Sequence, residues 1–357
     1  MSSSTISKVT PNEFINIVEP LYSSGEQIPT IMLWGPPGVG KSEAIQTTLA
    51  KRIAKNTGKT VKFTDVRLLL FNPVDLRGIP VPDQAHEFTK WLKPQIFNMD
   101  PDPNVVNILL LDEISAAPPA VQAAAFQLTL DRKIGEHTLP DNVIIIAAGN
   151  RVVDKGVAYK MPTPLANRMT HFEIHADLED WKEWAIPNGI HPTVIGFLNF
   201  QGSYLHKFDP SKDDLAFPTP RAWSFVSKYL KLYGNDIDRA YPMIAGTIGT
   251  GPAHEFKAFA NTYGKLPDIN RIMDGEKIDV PKSPDILYAL SAALTYRIPK
   301  ATDEQIKNIV LFTMGLSKEF AVLTMRDILR VEGAQKKIMT LKEWTQWAKA
   351  HKELIVG

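Results

Sequence analysis

The chain reads as an α/β protein, a parallel sheet with helices on both faces, followed by a region that stays helical to its end. Three observations predict this. A glycine-rich loop, Gly35-Pro36-Pro37-Gly38-Val39-Gly40-Lys41-Ser42, lies between a short apolar run at 30–34 and a segment with helical spacing at 42–56. Further apolar runs at 105–111 and 143–148 end in Asp112-Glu113 and Gly149-Asn150. Beyond about Asp177 the strand pattern stops and apolar residues recur at helical spacing. Strands alternating with helices make parallel sheets, and strands covered on both faces need continuous apolar runs.

Composition narrows the class. At 357 residues the chain is long enough for two or three domains with real cores. The formal net charge of +1 argues against a protein whose main work is coating nucleic acid. There are no cysteines, which excludes disulfides, thiolate metal sites and cysteine nucleophiles. Met1 to Thr10 is polar and serine-rich, and no run approaches a membrane span. The expectation is a cytoplasmic protein with no membrane partner.

Taken in order, residues 1 to about 10 read as a loose tail. Phe14, Ile15, Val18 and Leu21 give 11–22 a helical face. After the loop, Ala44, Ile45, Thr48, Leu49 and Ile53 share a helix face, and Gly58 stands where that helix should stop. A strand is expected at 61–70. The proline-rich stretch 72–98 alternates like a hairpin, with Ile79 and Val81 on one arm and Phe88, Lys90 and Leu92 on the other. Pro118-Pro119 opens a helix through about Leu130. A short hairpin is expected at 133–139 and a last strand at 170–174.

The second half reads as helices at 178–185, 192–208, 220–233 and 236–260, the last broken at Gly249–Gly251. A polar linker follows at 265–281, then three closing helices. Ser283-Pro284, Thr302-x-x-Gln305 and Thr340-x-x-Glu343 carry helix-start signals. The helix at 178–185 carries Trp181 and Trp184, and Trp344 and Trp347 read as core that packs the final helix down. The expected division is 1–177, 178–268 and 269–357.

The loop fits G-x-x-x-x-G-K-[ST]. Its glycines let backbone N–H groups turn toward phosphate oxygens, and the following helix adds partial positive charge. Gly35, Pro36, Pro37, Gly38, Val39, Gly40, Lys41, Ser42 and Glu43 are the candidate phosphate-binding residues. Lys41 would reach the β- and γ-phosphates, and Ser42 would hold Mg²⁺. Asp112, at the end of an apolar strand, would share that Mg²⁺, and Glu113 would polarise an attacking water. A helix-capping acid pair is the bland alternative. Asn150 would orient the same water or touch the γ-phosphate. Arg168, just before the last strand, would stabilise transition-state charge on a neighbouring subunit's nucleotide; a surface salt bridge is its alternative. Arg221, early in a helix behind Thr219-Pro220, would report nucleotide to the helical region. Ile28-Pro29 would touch the base. No N-K-x-D run reads guanine, so ATP is the expected nucleotide.

Together these motifs resemble the MoxR-like group of AAA+ ATPases. The loop corresponds to Walker A, Leu109-Leu110-Leu111-Asp112-Glu113 to Walker B, Asn150 to sensor 1, Arg168 to the arginine finger and Arg221 to sensor 2. Asn72-Pro73-Val74-Asp75-Leu76-Arg77-Gly78 resembles the segment that opens the group's insert, and Pro118-Pro119-Ala120-Val121-Gln122 its helix after Walker B. Asn167 and Met169 depart from the acid and the aromatic often found around the finger. The likeness covers about 28–235; the remainder resembles a helical extension of some bacterial and phage members.

The resemblance implies a five-stranded sheet in the order 5-1-4-3-2 with a small helical lid. It also implies ATP and Mg²⁺ as cofactors, a ring that is usually a hexamer, and chaperone-like remodelling. A partner with a von Willebrand factor A domain would be in keeping. The hairpins at 78–90 and 133–139 would face the pore or ring face, where Phe88 and Trp91 would either touch substrate or pack the hairpin's base. A nucleic-acid motor or loader, and a slow nucleotide-dependent assembly switch, are the alternatives.

Overall fold

The structure, a computed structural model, describes residues 6–151, 159 and 161–351. It separates into two compact units, Met1–His175 and Ala176–Gly357.

The first unit is built on a sheet. Its strands are β1 (Ser7–Val9), β2 (Ile31–Trp34), β3 (Thr60–Arg67), β6 (Val105–Asp112), β9 (Val143–Gly149) and β10 (Thr170–Ile174), and all pair parallel. Two antiparallel hairpins stand outside it, β4 (Ile79–Pro82) with β5 (Thr89–Leu92), and β7 (Lys133–Ile134) with β8 (His137–Thr138). The order across the sheet is β1-β10-β2-β9-β6-β3. Without β1 this is the expected 5-1-4-3-2, so the difference is a sixth strand at the edge. Residues 7–9 are therefore not a loose tail. Three residues with charged Lys8 at the centre give no strand signal; they extend because β10 offers unpaired backbone groups. Residues 1–5 of the expected tail lie outside the described residues.

Burial follows position. β6, between β3 and β9, is buried from Val105 to Leu111, whereas edge strand β3 alternates. The unit's helices are α1 (Pro11–Ser23), α2 (Lys41–Glu43), α3 (Ala50–Thr57), α4 (Pro73–Arg77), α5 (Pro119–Asp131) and α6 (Thr163–Ala166). A six-residue π-helical segment, Ala44–Leu49, joins α2 to α3 where one regular helix was expected. Gly58 ends α3 in the left-handed conformation, as anticipated. One core joins Met32, Leu109, Leu111 and Ile145 of the sheet to Val121, Ala125 and Leu128 of α5. Phe14 of α1 meets Phe172 edge-on. His137 Nε2 donates to the Trp91 carbonyl at 2.8 Å, which ties the two hairpins together. Phe88 stays 71% exposed.

The second unit is helical: α7 (Leu178–Ala185), α8 (Pro192–Phe200), α9 (Pro220–Leu232), α10 (Ile237–Ile248), α11 (Thr250–Ala260), α12 (Ile269–Met273), α13 (Pro284–Arg297), α14 (Asp303–Thr313), α15 (Lys318–Leu329), α16 (Ala334–Met339) and α17 (Lys342–Ala350). Gly249, with φ of 88°, makes the expected break between α10 and α11. Four expectations change. α8 stops at Phe200, not 208. The supposed linker holds α12, which buries Ile272 and Met273. Five helices, not three, follow it. The capping box forms at Thr302 and Gln305, but not at Thr340, whose hydroxyl donates to the Lys337 carbonyl. Phe197 sits at the centre of the aromatic core, with Trp223, Phe256 and Phe259 around it. Trp347 is buried as expected, and Trp181 is buried as well. No helix among the described residues is long and apolar enough to cross a membrane.

One buried ionic network crosses this unit. Lys182 of α7 and Asp327 of α15 are both fully buried and 2.9 Å apart. Lys182 also reaches Glu179 at 2.8 Å and the Asn199 amide oxygen of α8 at 3.0 Å. Arg330 closes the network on Asp327 and Glu179. Burial disfavours the Glu179 carboxylate, but Lys182 and Arg330 outweigh it and hold its pKa below the ordinary value. Its contribution to stability is thus complete above the ordinary carboxylate range and fades as pH falls through the lowered value. Removing one member strands a buried charge, so Lys182→Met should destabilise the protein by about 3 kcal/mol in urea unfolding.

Candidate functional site

Parallel strands bring their C-terminal ends to one edge of the sheet. β2 leads directly from Trp34 into Gly35. β9 ends with Gly149 opposite Trp34, which sets Asn150 level with the loop. β6 pairs with the far side of β9 and ends in Asp112.

Close approach fixes the loop's start. A Cβ on Gly35 would lie 2.6 Å from the Ile174 backbone oxygen, so only glycine lets the loop leave β2 against the end of β10. Gly40 adopts a left-handed conformation immediately before α2. Val39 is buried beneath the loop, Pro36, Pro37 and Gly38 are half-buried, and Glu43 is exposed.

Lys41 is 9% exposed. Its ammonium donates to the carbonyls of Gly35 at 2.7 Å and Pro36 at 3.1 Å, and to Asn150 Oδ1 at 3.2 Å. Ser42 Oγ donates to Asp112 Oδ2 at 2.8 Å, while Asp112 Oδ1 accepts from the Glu113 N–H at 2.9 Å. Lys41 with Asn150, and Ser42 with Asp112, thus form two hydrogen-bonded pairs that bring the start of α2 to the ends of β9 and β6. Glu113 follows Asp112 with φ of 59°, a left-handed conformation that costs a side-chain-bearing residue energy. The Ala116 and Ala117 N–H groups hold its carbonyl, and the Ile114 N–H is bound to the Ala148 carbonyl.

Sequence reasoning missed Ser115. It is buried, and its Oγ accepts from the Asn150 backbone N–H at 3.0 Å. It also lies where a Cβ on Gly149 would come within 2.7 Å. Ser115 therefore sets the height of Asn150 above the sheet. Its only signal in the sequence is a small hydroxyl residue shortly after the acid pair.

Arg168 lies at the opposite edge. Thr170 pairs with Ile31, the first residue of β2, whereas the loop follows Trp34, the last. Four residues of strand separate the two levels, roughly 13 Å at ordinary rise. Arg168 is exposed and lines a cleft of about 590 Å³ with Pro29, Asp131 and Asn167. Pro29 is thus at the edge away from the phosphate loop. The backbone that reaches the loop's edge is instead Val9, whose carbonyl accepts from the His175 N–H. Arg221 belongs to the second unit, exposed in the first turn of α9 behind the Thr219 cap.

Part of the chain is similar to known proteins. Residues 30–171 match the model of the ATPase family associated with various cellular activities, AAA. That stretch runs from the residue before β2 into β10 and contains the loop, Asp112, Glu113, Asn150 and Arg168. Over 142 residues the chain is 31% identical to Chaperone MoxR1 of Mycobacterium tuberculosis. Residues 30–171 are thus similar to the AAA family of ATPases and, within it, to MoxR1. The match to MoxR1 covers 39% of this chain and 33% of the relative, so the chain spans about a third of that curated relative's length. Two solved structures align with it more loosely. A putative ATPase from Cytophaga hutchinsonii has a TM-score of 0.34 at 16% identity, over 77% of this chain and 92% of its own. A Thermotoga maritima RuvB variant has a TM-score of 0.37 at 16% identity, over 84% and 90%.

Mg²⁺ fits the donors present at this edge of the sheet. Ser42 Oγ and Asp112 Oδ2 already converge to 2.8 Å, and both are hard oxygen donors. Among the described residues no group of three His, Cys, Asp or Glu side chains could form a separate cage. A cation arriving on phosphate oxygens needs only such a hydroxyl and carboxylate. Replacing Ser115 should loosen this edge. Ser115→Ala leaves the Asn150 N–H without its acceptor and is expected to cost about 1–2 kcal/mol in chemical denaturation, with Ser115→Thr retaining part of it.

Proposed function

We propose that the chain hydrolyses ATP at the edge formed by β2, β6 and β9 and uses the cycle to remodel a protein client. The observation that carries this is the two hydrogen-bonded pairs, Lys41 with Asn150 and Ser42 with Asp112. An amine, a hydroxyl, a carboxylate and an amide held level by three parallel strands suit a triphosphate and little else.

In this reading the loop N–H groups and the α2 N-terminus receive the β-phosphate. Lys41 leaves the Gly35 and Pro36 carbonyls for the β- and γ-phosphate oxygens. Ser42 and Asp112 would hold Mg²⁺, which supplies charge neutralisation on the phosphates. Glu113 takes a proton from the attacking water as its oxygen bonds to the γ-phosphorus and the bond to the β-phosphate oxygen breaks. Asn150, between Lys41 and Ser115, holds that water in line. The left-handed backbone at Glu113 turns its carboxylate away from the path a regular strand would give it.

Arg168 acts on a neighbouring copy, because about 13 Å of strand separates it from its own loop. A ring, as in the MoxR-like reading a hexamer, supplies that neighbour. Arg221 as nucleotide sensor, the division of the second unit into a lid at 178–268 and an extension at 269–357, and a client bearing a von Willebrand factor A domain belong to the same proposal. The similarity to MoxR1, a protein named as a chaperone, favours a protein client over nucleic acid.

Glu113→Gln should lower ATP turnover at least about 100-fold while fluorescent-nucleotide binding persists. Retained turnover would remove Glu113 as the base. Arg168→Ala should lower turnover by about 10³-fold in the assembled protein and leave nucleotide affinity unchanged. Dilution to monomer should abolish the difference between Arg168→Ala and the unsubstituted chain.

A further inference from the structure

His171 joins the phosphate loop to Arg168. It stands second in β10, opposite Met32, while Trp34 stands opposite Glu173. Trp34 and His171 are therefore diagonal neighbours on one face of the sheet. Their rings lie nearly parallel, 15° apart with centroids at 6.1 Å, and Trp34 Nε1 is 2.9 Å from His171 Nδ1. An indole N–H can only donate, so Nδ1 is the acceptor and the imidazole proton sits on Nε2. That N–H donates to the Ala166 carbonyl at 2.7 Å. Both ring nitrogens are thus committed, in a single tautomer.

The two ends of this bridge matter. Trp34 is the residue immediately before Gly35. Ala166 ends α6, two residues before Arg168, and its carbonyl also accepts from the Met169 N–H. Gly35 is pressed against the Ile174 carbonyl at the other end of β10. A nucleotide that draws Lys41 off the Gly35 carbonyl changes the forces on the end of β2, and the indole carries that change to the imidazole.

We propose that His171 is a positioning residue that couples nucleotide occupancy of the phosphate loop to the placement of Arg168, and through it to the site on the next copy. This rests on the hydrolysis reading above.

The test is steady-state ATP turnover of the assembled protein. It compares the unsubstituted chain, His171→Phe, Trp34→Phe, His171→Gln, Arg168→Ala and the double variant His171→Phe with Arg168→Ala. Loss of one hydrogen bond predicts that His171→Phe and Trp34→Phe each lower kcat roughly 3- to 10-fold, with nucleotide affinity within about twofold. His171→Gln, which has both an acceptor and a donor, should recover most of the rate. In the Arg168→Ala background His171→Phe should have no further effect, because the two act as one unit. Should His171→Phe fail to fold, Trp34→Phe removes the same bond from the other side and carries the comparison. Unchanged kcat in Trp34→Phe, or a loss that adds in full to that of Arg168→Ala, overturns the coupling and leaves hydrolysis standing. No turnover by the unsubstituted chain overturns the hydrolysis reading, and the role of His171 with it.

Discussion

A buried ammonium holds the first unit's working edge together. Lys41 is almost fully removed from water and so must be matched by oxygen on several sides. Those oxygens come from Gly35, Pro36 and Asn150, which belong to the loop itself and to the strand beside it. The Asn150 oxygen is available only because β2 and β9 run parallel and end at the same level. An antiparallel neighbour would present the start of a strand there and withhold that oxygen. Parallel pairing is thus the condition for the site as well as for the core.

Much of this was legible in the residues. Apolar runs ending in Asp112-Glu113 and Gly149-Asn150 mark buried parallel strands because such strands have no solvent face to alternate with. The loop's glycines and its Lys-Ser pair carry their chemistry in their spacing. What the sequence could not carry is anything that depends on two distant residues meeting. Ser115 under Asn150, and Trp34 on His171, are ordinary residues until the strands pair. β1 is extended only because β10 has a free side, so local propensity says nothing of it. The π-helical turn at Ala44–Leu49 likewise leaves no mark in the apolar spacing.

The second unit shows the same limit differently. Its helices were readable from periodicity, but their ends and number were not. α8 ends at Phe200, where Gln201 leaves the helical conformation before Gly202, and Tyr204 from the next short turn packs on Phe197. Lys182 and Asp327 are 145 positions apart, and neither looks unusual alone. Their burial as a pair is a product of packing, and such pairs cannot be inferred from composition or charge pattern.

The backbone at Glu113 has a consequence for how the chain is shaped by selection. A left-handed residue with a side chain costs about 1 kcal/mol relative to glycine, which adopts that conformation freely. Selection for folding alone would favour glycine there, and the carboxylate would be lost. On the hydrolysis proposed above, the position sets robustness against chemistry, and the variant most easily gained by a stability screen would be an inert one.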